Sequence, residues 1–485
     1  MSGNYMFNMD RYHAVMGNFY LGDSATSPDG TSLGRKEAVF YLTQRKCKFA
    51  PVLGHSVLCK SLFESQIDAP HARFLREDRA RLTLLAGKLQ REGGFLGNIS
   101  LVLEGTIMFA GEPFGFIKGP LWNVQLHEVK FEHAFDLPMT VGYRAIKMRE
   151  AAGNESFLSV FSQRRDGDSE RSVRVSEAAY ISGFDDTSDM EAAFRLGISD
   201  VGTMAHYLVE SFIEYQKKPE IDKGTRKPKH FERVAFERWL DDNPNGTTLL
   251  ICTYSYKSGI VHAIQAALST PERKKSFKAI RYDSDAPAEV ICYCRKILDL
   301  NGFKDVGIVV TGDMDEKWIR TIREKCGSIK GYGVGTRMAA QVEHVAGVIF
   351  KMTQMAEIPI LKTSGKTGGK GTLPGELQVW RAIDSLGKYV KDIICLVDEP
   401  KPVSVDFKDA QPLIKPFWGV NVPLHQNIPP ETLKGYVEFQ LEKFKVPLEE
   451  YPVELSPKLS ALKEEIIENV EDKNTYPEII YPEAN

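Results

Sequence analysis

The sequence predicts an α/β fold, a parallel sheet with crossover helices that forms a barrel or an open doubly wound sheet, and three observations predict it. The middle of the chain repeats a short apolar run followed by an amphipathic stretch of helical period. These units recur every ~23 to 30 residues, the length of a strand and its crossover helix. The apolar runs show little period-two alternation, as expected of strands buried on both faces.

Taken in order, residues 1–133 mix helical segments with strand-like runs such as Ser100-Leu101-Val102-Leu103 and are expected to form an N-terminal α/β sandwich-like domain. Residues 134–350 form the barrel. A strand is predicted near Phe157 to Phe161 and another at Thr248-Leu249-Leu250-Ile251-Cys252-Thr253, followed by a helix with Ile260, Val261, Ile264 and Leu268 inward. Lys278-Ala279-Ile280-Arg281 is the next strand. Its helix turns Val290, Ile291, Cys294, Ile297 and Leu298 inward and stops at Asn301-Gly302. Val306 to Val310 is a strand, Glu316 to Lys325 a helix with Trp318, Ile319 and Ile322 inward, and Gly331-Tyr332-Gly333-Val334-Gly335 the eighth-strand candidate. Residues 351–485 read as a C-terminal segment packing on both domains, with a Gly-rich basic loop from Lys362 to Gly371 and a helix from Leu459 to Val470.

Composition narrows the function. Of 485 residues, 42% are hydrophobic and 26% charged, with a net charge of −3, so no global basic field recruits nucleic acid. The seven cysteines are odd in number and never spaced as paired Cys-x-x-Cys ligands, which predicts reduced thiols. The start of the chain lacks a basic and apolar secretion signal, and no 18-residue apolar run offers a membrane span; a cytoplasmic protein is expected.

Barrels and open α/β sheets hold ligands at the carboxyl ends of their strands, so the residues there carry the chemistry. After Phe157 to Phe161 comes Arg164-Arg165, a pair able to clamp a diphosphate or to be a solvated basic turn. After Asp200-Val201 comes Gly202-Thr203-Met204-Ala205-His206, where a hydroxyl and an imidazole follow a glycine; alone, such a histidine is more often structural. Arg281-Tyr282-Asp283-Ser284-Asp285 sets a cation beside carboxylates suited to ribose hydroxyls or a magnesium–diphosphate, or to helix capping. Thr311-Gly312-Asp313 and Gly333-Val334-Gly335-Thr336-Arg337 offer backbone N–H groups that can cradle a phosphate. Five strand ends suited to phosphate, diphosphate or sugar point to a phosphorylated sugar diphosphate.

In this order, together with Met9-Asp10-Arg11-Tyr12, Gly183-Phe184-Asp185-Asp186-Thr187-Ser188, Thr372-Leu373-Pro374-Gly375-Glu376-Leu377 and Tyr451-Pro452-Val453-Glu454-Leu455-Ser456, the residues resemble the nicotinate phosphoribosyltransferase family over most of the chain. The resemblance implies the type II phosphoribosyltransferase fold, an irregular α/β barrel. It also implies a reaction in NAD salvage: nicotinate attacks phosphoribosyl diphosphate to give nicotinate mononucleotide and diphosphate, with ATP hydrolysis coupled in and Mg2+ accompanying the diphosphate. Carried over by position, His206 is the histidine transiently phosphorylated by ATP, Tyr12 stacks on the pyridine, Thr203 and Arg281 lie near nicotinate, and Thr372 lies near the diphosphate substrate. Arg164, Arg165, Ser188, Asp283, Asp313, Gly333, Gly335 and Thr336 complete the expected binding set. The family implies a homodimer with shared sites.

Departures leave other readings open. Cys252 stands where the family usually has Asp, Asp283-Ser284-Asp285-Ala286 where it usually reads Asp-Ser-Gly-Asp, and Asp186 and Asp189 add charge around Thr187-Ser188. The added acids suit a relative using uncharged nicotinamide, although Ser188 stands where nicotinamide-specific relatives tend to carry Asp. A non-catalytic nucleotide-binding regulator is the third reading.

Overall fold

The computed structural model describes residues 5–284, 287–327, 329–339, 345–363, 371–419 and 427–470. Asp285 and most of the Lys362 to Gly371 stretch lie outside the described residues. The chain divides into two compact units, one of Met1–Thr140, His344–Ile428 and Gly435–Asn485, the other of Val141–Glu343 and Pro429–Lys434.

The first unit is built on a six-stranded antiparallel sheet in the order Ile358–Pro359, Val348–Met355, Glu37–Gln44, Pro113–Pro120, Asn98–Val102, Ile414–Trp418. Burial of nearly every residue of Glu37–Gln44 explains why it reads as a continuous apolar run. A four-stranded sheet in the same unit orders Asp409–Pro412, Leu377–Ile383, Tyr389–Leu396 and Val453–Leu455. It surrounds a buried ion pair, in which Arg381 donates to both Asp392 oxygens at 2.9 and 2.6 Å and the Tyr451 hydroxyl adds a bond to Asp392 at 3.0 Å.

The second unit carries the predicted parallel sheet. Its order is Asp186–Thr187, Phe157–Val160, Gly331–Val334, Gly307–Gly312, Phe277–Asp283, Thr247–Leu250, every pairing parallel. A parallel bridge from Thr187 to Asp200 extends it by one position. The strands fall where the apolar runs predict them and curl into a half-barrel, so their carboxyl ends converge on one rim.

The crossover helices follow the predicted positions, with one correction to a buried face. In Tyr256–Leu268 the inward residues are Gly259, Ile260, Ala263, Ile264, Ala266 and Ala267, whereas Val261 and Leu268 are 43% and 53% exposed. Small residues let the helix approach the sheet: a Cβ on Gly259 would lie 1.9 Å from the Ile251 carbonyl oxygen. In Ala288–Leu300 the buried set is Ala288, Ile291, Cys294 and Leu298, and in Glu316–Cys326 it is Ile319 and Ile322, with Trp318 half-buried.

The expectation of reduced thiols throughout is also corrected. Cys292 and Cys326 form a disulfide with Cα atoms 5.3 Å apart. They are 34 residues apart in sequence and come together because consecutive crossover helices pack side by side, which spacing along the chain does not reveal. Cys47, Cys59, Cys252, Cys294 and Cys395 are free thiols.

Candidate active site

Ten of the predicted binding residues line one cleft at the carboxyl ends of the parallel strands. The cleft, of about 380 Å³, is bounded by Arg164, Arg165, Ser188, Thr203, Arg281, Asp283, Asp313, Gly333, Gly335 and Thr336, with Phe161, Thr311 and Tyr207 also on the wall; His206 stands beside Asp283 rather than in the lining. Its size suits a phosphorylated metabolite.

At its centre, Arg281 and Asp283 end the strand Phe277–Asp283 with side chains on the same face, as residues two apart must be. Arg281 Nη2 donates to Asp283 Oδ2 at 2.8 Å, its Nη1 to Thr203 Oγ1 at 2.8 Å and to the Met204 carbonyl at 3.2 Å, and its Nε to Thr311 Oγ1 at 3.1 Å. The Thr311 hydroxyl donates to the other Asp283 oxygen at 2.7 Å. Burial works to raise the Asp283 carboxyl, but the Thr311 hydrogen bond, Arg281 and the nearby His206 hold it below the usual carboxylate range. The following helix begins at Ala288 behind Pro287, so Asp283 is not a helix cap.

His206 opens the helix His206–Glu210 and is itself part-exposed. Its Nε2 lies 3.8 Å from Asp283 Oδ2 and its Nδ1 is 3.2 Å from Thr253 Oγ1. The ring is thus held between a carboxylate and a hydroxyl from two neighbouring strand ends. Cys252 also has a definite part here: the Asp283 backbone N–H donates to its sulfur at 3.2 Å.

The two arginines lie on an exposed turn, Gln163–Arg165, and make no ion pair with any described residue, which leaves both guanidiniums open to an anion. On the next two strands, Gly312 has φ +144°, and a Cβ at Gly333 would lie 2.7 Å from Thr311 and 2.9 Å from Phe161. Both positions therefore require glycine. Gly202 is under no such constraint, because an added Cβ there meets nothing within 4 Å.

The acids at 186 and 189 do not line the cleft. Asp189 is buried and caps the helix Met190–Leu196, accepting from the Glu191 and Ala192 amides at 3.0 and 3.2 Å, from Gln163 at 3.1 Å and from the Ser172 hydroxyl. Burial lifts the Asp186 carboxyl to about 6 against the Ser159 hydrogen bond.

Tyr12 and Thr372 belong to the other unit. Tyr12 is half-exposed with its hydroxyl 3.3 Å from Glu128, while Thr372 is buried and accepts from the Lys362 amide at 2.8 Å. Thr253 is the contributor that sequence reading leaves out, and Thr311 enters it only through its backbone and not as the hydroxyl that meets Asp283. Their signal was a hydroxyl at a strand end, too common to single out.

With this geometry in view, residues 158–365 match the model of the nicotinate phosphoribosyltransferase (NAPRTase) family. The chain is similar to that family over this stretch. Every described cleft residue falls inside the matched stretch. A nicotinate phosphoribosyltransferase of Mycobacterium tuberculosis is 27% identical over 362 residues, spanning 74% of this chain and 75% of its own length. The Bacillus subtilis enzyme of the same name is 28% identical over 303 residues, 61% of this chain and 58% of its own. The fold matches human nicotinic acid phosphoribosyltransferase with a TM-score of 0.73 at 21% identity, over 94% of this chain and 99% of that one. It also matches a nicotinate-nucleotide pyrophosphorylase of Pyrococcus furiosus, with a TM-score of 0.67 at 20% identity over 90% and 95% of the two chains. The half-barrel is thus that of the type II phosphoribosyltransferase fold.

Proposed function

We propose that the protein is a nicotinate phosphoribosyltransferase, joining nicotinate to phosphoribosyl diphosphate with ATP hydrolysis coupled in. The observation that carries this reading is the cleft itself: in a stretch matching that family, three guanidiniums and two carboxylates line the strand ends, and His206 lies 3.8 Å from one of those carboxylates, Asp283.

In the reaction the pyridine nitrogen forms a bond to ribose C1 as the bond from C1 to diphosphate breaks. Positive charge develops on the ribosyl ring and negative charge on the leaving group. Asp283 and Asp313 complement the first, and Arg164 and Arg165 the second. Magnesium, when bound with the diphosphate, supplies further charge neutralisation, and its needs fit Asp313, a hard oxygen donor on the cleft wall with no ion pair among the described residues.

His206 is the proposed acceptor of the ATP γ-phosphoryl group. Asp283 on the Nε2 side favours a proton there and leaves Nδ1 as the nucleophile. The bond from phosphorus to the ADP oxygen breaks as the bond to Nδ1 forms, and Asp283 offsets the positive charge left on the ring. Thr253, 3.2 Å from Nδ1, can donate to the arriving phosphoryl oxygens.

The nicotinamide alternative rested on acids crowding the pyridine. Asp189 is committed to a helix cap and neither it nor Asp186 lines the cleft, which supports the anionic substrate. The reading extends to a homodimer, with Tyr12 serving the neighbouring site, and to a cytoplasmic role in NAD salvage. Among the described residues, no helix is long and apolar enough to cross a membrane.

Diphosphate release from phosphoribosyl diphosphate, measured with nicotinate or nicotinamide and with or without ATP, tests the reaction. Release with nicotinate, stimulated by ATP, is expected; binding without release overturns it. With γ-labelled ATP, wild type is expected to acquire an acid-labile phosphate that His206→Ala lacks. Equal labelling overturns the role of His206.

A further inference from the structure

We propose that His230, Glu232 and His262 form a binding site for a divalent transition metal of the zinc class, separate from the phosphoribosyl-transfer cleft. One ligand atom from each lies within 4.8 Å of the others. Tetrahedral zinc, with bonds of about 2.0–2.2 Å, holds its donors about 3.4 Å apart, so no pair need close by more than about 1.4 Å. His230 is exposed and can supply that movement.

The three residues come from two helices. His230 is the N-cap of Phe231–Asp242, Glu232 lies in its first turn, and His262 projects from Tyr256–Leu268. The imidazoles stack with centroids 4.4 Å apart and planes 12° from parallel. His262 Nδ1 meets Glu232 Oε2 at 2.6 Å.

A simple His–Glu pair accounts for that one contact and leaves the rest unexplained. Glu232 is fully buried, and its Oε1 has no hydrogen-bond partner among the described residues, a costly arrangement for a carboxylate. The helix-capping contact from the Glu232 amide to His230 Nδ1 is long, 3.3 Å, and little is lost if the ring turns away. The adjacent cations do not oppose a metal, because Lys229 and Arg233 are paired with Glu220, Asp222 and Glu237.

Two imidazoles and one carboxylate select zinc, cobalt or nickel over magnesium. The bound ion would pin the start of one helix to the face of the next. Tyr254 packs edge-on against Phe231 at 5.5 Å, and its neighbour Thr253 contacts His206. The site therefore brackets the loop that presents Thr253 to the candidate phosphate acceptor.

Metal-stripped full-length protein titrated with zinc chloride is expected to take up one equivalent and to rise in Tm. Cobalt chloride should give a visible absorption band of nitrogen-ligated Co2+. His230→Ala alone, at an exposed position where folding is not at stake, should weaken zinc binding by about 100-fold. The double variant H230A/H262A should lose the cobalt band and the Tm shift. No stoichiometric zinc uptake by wild type, an unchanged cobalt spectrum in both variants, or equal uptake of magnesium chloride overturns the proposal.

Discussion

Burial pushes the Asp283 carboxyl toward neutrality, yet the Thr311 hydroxyl, the Arg281 guanidinium and His206 more than offset it, so the charge persists where the ribosyl cation would form. Lys130 shows the same physics without compensation. Its ammonium is buried with no hydrogen-bond partner among the described residues, and burial alone drops its pKa to about 7. An unfolded lysine keeps its proton to about 10.4, so between these values unfolding takes up a proton, and rising pH favours the folded state. Below about 7 the charge is present in both states and the full penalty applies. Lys130→Met removes it. The variant is expected to exceed wild type by about 1–3 kcal/mol at pH 7, the gap narrowing as pH rises towards 10. Urea unfolding at pH 7 and 9.5 measures both; a gap independent of pH would show that Lys130 is not held neutral.

The helix Tyr256–Leu268 shows what its sequence pattern conveys and what it hides. Ile264 is buried against the sheet while Val261, equally apolar, is 43% exposed. Ile264→Ala should therefore cost about 2–4 kcal/mol, and Val261→Lys should stay within about 0.5 kcal/mol of wild type. Thermal or urea unfolding of the two variants checks the difference, and equal losses would contradict the assigned face. The helix itself was legible because Ile260 and Ile264 repeat at helical period. Its rotation was not, because the close contact is made by Gly259, Ala263 and Ala267, residues too small to register as anchors. The same holds at the strand ends. Arg281, Asp283 and the arginine pair are distinctive enough to mark a phosphate site, whereas Thr311 and Thr253 become meaningful only when three-dimensional register sets Thr311 beside Asp283 in the next strand and Thr253 beside His206. The disulfide of Cys292 and Cys326 is another such case: it depends on two helices packing, not on spacing.

Across the molecule, local pattern specified the parallel half-barrel far better than the antiparallel unit. Four of the half-barrel's five strand pairings join neighbours within about 30 residues, while Glu37–Gln44 pairs with Val348–Met355 more than 300 residues away, a partnership no local period encodes. The proposed dimer belongs to this scale. Tyr12 is 49% exposed, an aromatic surface suited to burial against a second chain, and His206 lies in the other compact unit. If Tyr12 completes the partner's site, Tyr12→Ala and His206→Ala should each abolish most turnover alone but complement when co-expressed. In a mixed dimer one site carries both lesions and the other neither. With random pairing, half the dimers are mixed and each has one intact site, so activity should return to about a quarter of wild type. Sites confined to one chain predict no recovery, because every site then carries one lesion. Diphosphate release from the co-expressed pair, with sedimentation confirming the dimer, separates the two outcomes.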